Sequence, residues 1–323
     1  MLPRFGLGCM NLSHAYGVPP SEEEGIRLLR VALDEGVGML DTATLYGGGR
    51  NEELVGRAFA GRRDDVVLAS KGGMALIDGI RTIDGRPETL RAQVDAARAR
   101  LGVDRIDLYY LHRWDRSVPI GESVGALAAL IDAGKIGAIG LSEVSVARLR
   151  EAQRVAPIAA VQNEYSLWSR NPELGMLDAT RDAGIALVAF SPVARGFLSD
   201  SVADPSTLAQ NDIRRTMPRF RPEHWPANAA LLPRWRALAA EAGCTPAQLA
   251  LAWVMSRGDH VIPIPGTTNP DHLRDDRAAM DLVIDPVLLA RAGDLICTAT
   301  ISGPRYASGP AADVDTEAFE EAG

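Results

Sequence analysis

Ile106-Asp107-Leu108-Tyr109-Tyr110-Leu111-His112 is followed by a segment closed at Gly134, and then by Ile136-Gly137-Ala138-Ile139-Gly140-Leu141-Ser142. Neither apolar run alternates with polar residues. A strand covered on one face alternates; a run that stays apolar reads as a parallel strand covered on both faces. Six further runs of this kind lie at residues 5–9, 37–41, 66–70, 158–162, 185–190 and 261–264, beside those at 106–111 and 136–141.

Helical segments separate the runs. Ser21 and Glu24 form a capping-box pair ahead of Ile26, Leu29 and Leu33, and Gly36 closes that helix. Pro87 suits the first turn of a helix that places Leu90, Val94, Ala97 and Leu101 on one face and stops at Gly102. Thr245 and Gln248 repeat the capping logic, and Gly61, Gly134 and Gly184 mark three more helix ends. Strict alternation of strand and helix restricts the fold to a doubly wound sheet or a closed barrel. Eight strands, with the polar residues gathered as described below, favour a (β/α)8 barrel over residues 1–323 as one domain. Residues 193–243 are too long for a plain loop and predict a functional loop plus an extra helix near 229–242. A second extra helix is expected at 285–298, with a loosely ordered tail after Gly303.

The net charge of −8 and pI near 5.3 leave no basic face for nucleic acid. No apolar run approaches the roughly 18 residues that span a bilayer, and the N-terminal residues lack the apolar core of a signal peptide. Cys9, Cys244 and Cys297 are odd in number and far apart, which fits a reducing cytoplasm. The histidines have no metal-ligand spacing, so no metal is expected. Nothing in the sequence specifies an oligomeric state.

In such a barrel, chemistry collects at the C-terminal ends of the strands. Asp41, Lys71 and His112 stand at three consecutive strand ends, and Tyr46 follows Asp41 in the same loop. A phenol with a pKa near 10 is a poor acid at neutral pH, but a nearby ammonium stabilises its anion. Lys71 can supply that charge, Asp41 can hold Lys71 protonated, and His112 can orient a substrate oxygen. Together they suit proton donation to an alkoxide as hydride reaches a carbonyl carbon.

Leu40-Asp41-Thr42-Ala43 with Tyr46-Gly47, Ser70-Lys71-Gly72, and Asp107-Leu108-Tyr109-Tyr110-Leu111-His112-Arg113 resemble the catalytic tetrad of the aldo-keto reductases. The likeness extends over nearly the whole chain and is greatest to a bacterial subgroup of general aldo-keto reductases. It includes Gly6-Leu7-Gly8-Cys9-Met10, Val161-Gln162-Asn163-Glu164-Tyr165-Ser166, Phe190-Ser191-Pro192 and Ile262-Pro263-Ile264-Pro265-Gly266-Thr267. The resemblance implies NADP(H) as cofactor, with NAD(H) the alternative, and a small carbonyl compound as substrate. It implies Tyr46 as proton donor, Lys71 and Asp41 as its tuning pair, and His112 as the group that positions the carbonyl. By the same resemblance Ser142 and Gln162 bind the nicotinamide carboxamide and Phe190 stacks on the ring. Ser191, Arg195, Gly196 and Leu198 follow the pyrophosphate, and Gly8 and Met10 also border the cofactor. Gly266, Thr267 and Asp276 attend the adenosine end, where His272 and Arg274 are the candidate partners of a 2′-phosphate.

Three departures from the family pattern stand out: Glu143 replaces a common Asn, Thr268-Asn269-Pro270 replaces a basic residue, and Asp275-Asp276 replaces Glu-Asn. The N-terminal hairpin common in the family is expected to be shortened or absent. Tyr16 and Trp114 are candidate walls of the substrate pocket, as are His14, Tyr165, Trp168 and a loop expected at 78–85. Gly47-Gly48-Gly49 reads as a turn ahead of a helix capped by Asn51. Arg214, Arg215, Arg219 and Arg221 read as a solvated basic loop, and Trp225 and Trp235 as packing for the extra helix. Two other functions fit the same residues: a Schiff-base lyase with Lys71 as nucleophile, and a non-catalytic NADPH-binding redox sensor.

Overall fold

The computed structural model describes residues 2–199 and 201–319. Asp200 of the expected insertion and the last four residues of the expected tail lie outside them.

Eight parallel strands form one sheet: β1 (Leu7–Gly8), β2 (Met39–Asp41), β3 (Val67–Gly72), β6 (Leu108–Leu111), β7 (Ile139–Ser142), β8 (Ala160–Glu164), β9 (Ala186–Phe190) and β10 (Val261–Ile264). Each pairs with its neighbour in chain order. The sheet closes where Gly6 and Gly8 donate to the carbonyls of Pro263 and Pro265, at 3.1 and 2.9 Å. All eight expected strands are present, and the closure makes the fold a (β/α)8 barrel.

Helices α1 (Glu22–Asp34), α2 (Arg50–Ala58), α3 (Pro87–Leu101), α4 (Ile120–Asp132), α5 (Val146–Gln153), α6 (Met176–Asp182), α9 (Pro246–Met255) and α10 (Pro270–Ala278) complete the repeating units. Both capping boxes form, at Ser21/Glu24 and Thr245/Gln248, each satisfying backbone donors that otherwise have no partner. Gly102 ends α3 at φ +67°, a left-handed conformation that a β-carbon would strain. Inside the barrel, Met39, Ala69, Leu108, Tyr110, Ala160, Val188, Ile262 and Ile264 pack together. Gly140 is required opposite Tyr110, because a β-carbon there would overlap the ring. The interior is therefore filled, and chemistry is confined to its rim.

Additions sit on the rim and the outside. The segment after β3 is a hairpin, β4 (Met74–Ile77) and β5 (Ile80–Ile83), not the loop expected at 78–85. Asp78 and Gly79 turn it with φ of +51° and +78°, the pattern of a two-residue primed turn. The insertion after β9 carries α7 (Trp225–Ala229) and α8 (Leu232–Glu241), and α11 (Pro286–Leu295) is the second expected helix. Trp235, on α8, is fully buried and donates to the Leu198 carbonyl at 2.9 Å, while Trp225 stacks on Phe220.

Three expectations are corrected. The tail after Gly303 is tied down, not loose: Asp315 donates to the Glu143 carbonyl, and Glu317 accepts from Val146 N–H at 2.7 Å. The helix α12 (Ser308–Ala311) lies within it. Among the four insertion arginines, Arg214 and Arg219 are half-buried rather than solvated: Arg214 ion-pairs with Asp212 at 2.7 Å, and Arg219 donates to the carbonyls of Trp168 and Gly303. Asn51 is not a helix cap, since Gly49 holds that place. Its buried amide instead bridges Thr42, Cys9 and Ser13, locking the β1 and β2 loops together.

Candidate active site

Strand register sets the arrangement. Asp41 pairs with Ala69, so Lys71, two residues further along β3, faces the same way. Lys71 in turn pairs with Tyr110, and His112 lies two residues beyond that. The His112 N–H is fixed by the Gly72 carbonyl at 2.8 Å. Tyr46 reaches the same point from the turn after β2, where Gly47, Gly48 and Gly49 all have positive φ.

Lys71 is 1% exposed and Asp41 2%. The ammonium ion-pairs with Asp41 Oδ1 and donates to the Thr42 carbonyl at 3.0 Å and to the Tyr46 phenol oxygen at 3.2 Å. Asp41 Oδ2 accepts from Gln162 Nε2 at 2.8 Å. The imidazoles of His112 and His14 flank the phenol, with ring centroids 5.9 and 5.5 Å away.

Burial opposes a charge on Lys71, but Asp41 and Tyr46 outweigh it and hold its pKa above the usual value. Tyr46 corrects the expectation of a lowered phenol. Burial raises its pKa, Lys71 pulls it back only in part, and the Asp41 charge raises it again. The group is a protonated phenol at neutral pH, as a proton donor must be. Burial, aided by Arg113 and Lys71, pushes His112 far below the ordinary histidine range, so its ring is neutral.

A cleft of about 1110 Å³ opens over these groups and runs past β9 and β10 to α10. Asp41, Tyr46 and His112 line it, while Lys71 sits behind Tyr46. Of the residues assigned to the nicotinamide, Ser142, Gln162 and Phe190 border the cleft, as do Gly8 and Met10. Ser191, Arg195 and Gly196 continue the wall, followed by Gly266, Thr267, His272 and Asp276. Burial and the neighbouring Asp275 push the Asp276 carboxyl up to about 7. Tyr16 lines the mouth as expected.

Five assigned or candidate residues fall elsewhere. Leu198 is fully buried behind the wall and presents its carbonyl to Trp235. Arg274 is exposed on α10, where it pairs with Glu35 at 2.9 Å and Asp271 at 3.0 Å, outside the cleft. Trp114 packs under the guanidinium of Arg148, 4.6 Å from its ring, and donates to the Val118 carbonyl. Tyr165 and Trp168 are core residues, packed with tilted rings against Trp253 and Phe197.

Sequence reasoning missed a buried charge cluster beside the cleft. Glu164 accepts from Arg195 at 2.6 Å and from the Tyr306 hydroxyl at 2.9 Å, and it lies 3.2 Å from Arg305 Nε. Arg305 also pairs with Glu143, whose φ of +57° is left-handed. Tyr306 itself lines the cleft. Glu143, the departure from the family's Asn, therefore anchors the tail. Arg113 was missed too: it donates to Ser142 Oγ at 3.1 Å and borders the cleft.

Comparison with known proteins agrees with this geometry. The model of the Aldo/keto reductase family matches residues 4–292. The aldo-keto reductase yakc of Schizosaccharomyces pombe, whose name specifies NADP(+), is 37% identical over 315 residues, which is 95% of this chain and 92% of that protein. The glycerol dehydrogenase from Gluconobacter oxydans has a similar structure, with a TM-score of 0.85, 28% identity and 94% of each chain covered. An aldo-keto reductase from Klebsiella pneumoniae, solved in complex with NADPH, gives a TM-score of 0.71 at 26% identity over 94% of this chain and 95% of that one. With the family match over most of its length and the tetrad assembled at the rim of the barrel, the chain belongs to the aldo/keto reductase family.

Proposed function

We propose that the protein reduces an aldehyde or ketone to the alcohol, with NADPH as hydride donor and Tyr46 as proton donor. The cofactor is supported by the yeast relative's name and by the NADPH bound in the Klebsiella structure. The cleft fits a polar ligand: Asn11 Oδ1, His14 Nδ1 and His112 Nδ1 are buried on its wall without a hydrogen-bond partner. Ser142 and Gln162 are opposite one another in register. Ser142 Oγ accepts from Arg113, which frees its proton for a carboxamide oxygen. Gln162 donates one amide proton to Asp41, and its Oε1 can accept from a carboxamide N–H. The pair thus offers one donor and one acceptor, as a primary amide requires.

When bound, the nicotinamide supplies hydride to the carbonyl carbon. The single observation that carries the reading is the coordination of Lys71. Its three protons are taken by Asp41, Thr42 and Tyr46, so the phenol oxygen accepts from Lys71 and its own proton faces the cleft. That proton passes to the carbonyl oxygen as the C–H bond forms, and Lys71 stabilises the phenolate left behind. Neutral His112 can donate to the same oxygen and fix its position. This coordination also disfavours a Schiff-base lyase, which requires an unprotonated lysine nitrogen.

The test is NADPH consumption across aldehydes, ketones and sugars with the wild type and Tyr46→Phe. Turnover that falls about 10²–10⁴-fold in the variant, with cofactor quenching of tryptophan fluorescence retained, supports Tyr46 as acid. Unchanged turnover removes it. Tight NADPH binding without turnover of any carbonyl favours the redox-sensing alternative.

A further inference from the structure

Half of the guanidinium groups around the cleft are neutralised by an acid. Arg81 pairs with Asp313, Arg195 with Glu164, and Arg214 with Asp212. Arg50, Arg113 and Arg221 also border the cleft, and none of them pairs with an acid among the described residues. Arg50 and Arg221 are exposed at the rim. Arg113 is half-buried, next in sequence to His112, where a bound carbonyl must lie.

Its hydrogen bonds can be counted. Nη1 donates to the His112 carbonyl at 2.6 Å and to Ser142 Oγ at 3.1 Å, which uses both protons on that nitrogen. Nε and Nη2 make no hydrogen bond among the described residues, yet neither is sealed in protein. Those two nitrogens form the side edge of the guanidinium, whose parallel N–H groups match the two oxygens of a carboxylate. The two bonds through Nη1 hold that edge in place before anything binds, which lowers the entropy cost of recognition. The other carboxylate on this side of the mouth, Asp313, is already engaged by Arg81.

We infer that Arg113 is a specificity-determining residue, and that the preferred substrate is a carbonyl compound bearing a carboxylate on or near the carbonyl carbon, as in a 2-oxo acid or a short oxo acid. The inference rests on the reductase reading and adds the class of compound to it. Arg113 binds the carboxylate through its Nε–Nη2 edge, and the carbonyl oxygen is left to Tyr46 and His112. In a chain with a net charge of −8, this local cation also draws an anionic substrate into the cleft.

The experiment compares phenylglyoxylate and 4-oxobutanoate with their methyl esters, in wild type, Arg113→Gln and Arg113→Lys. The wild type is expected to favour each acid over its ester by about tenfold or more in kcat/KM, with the preference shrinking as salt is added. Arg113→Gln should collapse the acid-to-ester ratio by about tenfold, mainly through KM of the acid, and Arg113→Lys should recover part of it. Acids and esters reduced equally well by the wild type, or a ratio that survives Arg113→Gln, overturn the inference while leaving the reductase reading intact. If no carbonyl is reduced, that reading fails, and calorimetry with benzoate and NADP(+) decides alone. Benzoate binding weakened about tenfold by Arg113→Gln supports the carboxylate site; unaffected or absent binding removes it.

Discussion

The ammonium of Lys71 stands 3.2 Å from the phenol oxygen of Tyr46 and donates to it, although the two side chains come from different βα units. The geometry orients the phenol's proton toward the cleft, and it depends on Asp41 to keep the buried Lys71 charged. The acid and its support are therefore separable by mutation.

Lys71→Met removes the donor and leaves the Asp41 carboxylate buried without its cation. Loss of one partner of a buried pair costs about 3–5 kcal/mol, so the variant should melt well below the wild type. The double variant Asp41→Asn/Lys71→Met removes both charges and should regain much of that stability. It should not regain carbonyl turnover, because nothing remains to stabilise the Tyr46 phenolate. Calorimetric melting and NADPH oxidation, measured on the same samples, separate the two effects. Recovery of turnover in the double variant would remove Lys71 from the chemistry.

The dependence on pH follows from the same burial. On the proposed mechanism, reduction requires protonated Tyr46, whose pKa is raised above its ordinary value near 10. The active form is thus present below that value and is lost only as pH rises through it. His112 titrates far below the usual 6.5 and stays neutral across the physiological range. A profile of kcat/KM for reduction should be flat between about pH 6 and pH 9 and should fall only beyond about pH 10. Alcohol oxidation uses the phenolate as base and should rise where reduction falls. A limb near pH 6.5 that disappears in His112→Gln would show that the histidine works in its charged form.

The strands and the tetrad were legible because each sits inside or just after its own apolar run, and barrel topology alone brings the strand ends together. The β4–β5 hairpin carried a readable signal, Asp78-Gly79 between apolar residues, which the loop expectation passed over. The tail carried none. Arg305 meets Glu143 across 162 positions and Glu317 meets Val146 across 171, and no periodicity or turn chemistry encodes such pairs. Arg274 illustrates the converse. Its position in sequence fitted a phosphate partner, but the side chain faces the outside of α10.

The tail anchor makes a prediction about acid stability. Burial would push the Glu164 carboxyl up, but Arg195 and Arg305 overcome it and hold the group well below the usual carboxylate range. A depressed carboxylate stabilises the fold above its unfolded value near 4, and that contribution fades as pH falls through the folded pKa. Arg305→Met leaves Glu143 and Glu164 short of a cation and should cost about 3–5 kcal/mol near neutrality. The loss relative to wild type should shrink below about pH 4, as the Glu164 carboxylate left short of a cation takes up a proton. Urea unfolding at pH 7 and pH 3 tests this, and a difference that persists undiminished at pH 3 would rule out the ionic origin.

Arg274 gives the most direct test of where a 2′-phosphate is read. A guanidinium that contacted the phosphate would, when removed, weaken NADPH by about tenfold or more and spare NADH. Here Arg274 is exposed, points away from the cleft and is shared between Glu35 and Asp271. Exposed pairs of this kind contribute little. Arg274→Ala should therefore leave NADPH and NADH affinities within about twofold of the wild type, measured by tryptophan quenching. His272, which does line the cleft, is the residue whose replacement should distinguish the two cofactors. A selective loss of NADPH in Arg274→Ala would mean that the side chain abandons both carboxylates and swings around α10 when the cofactor arrives.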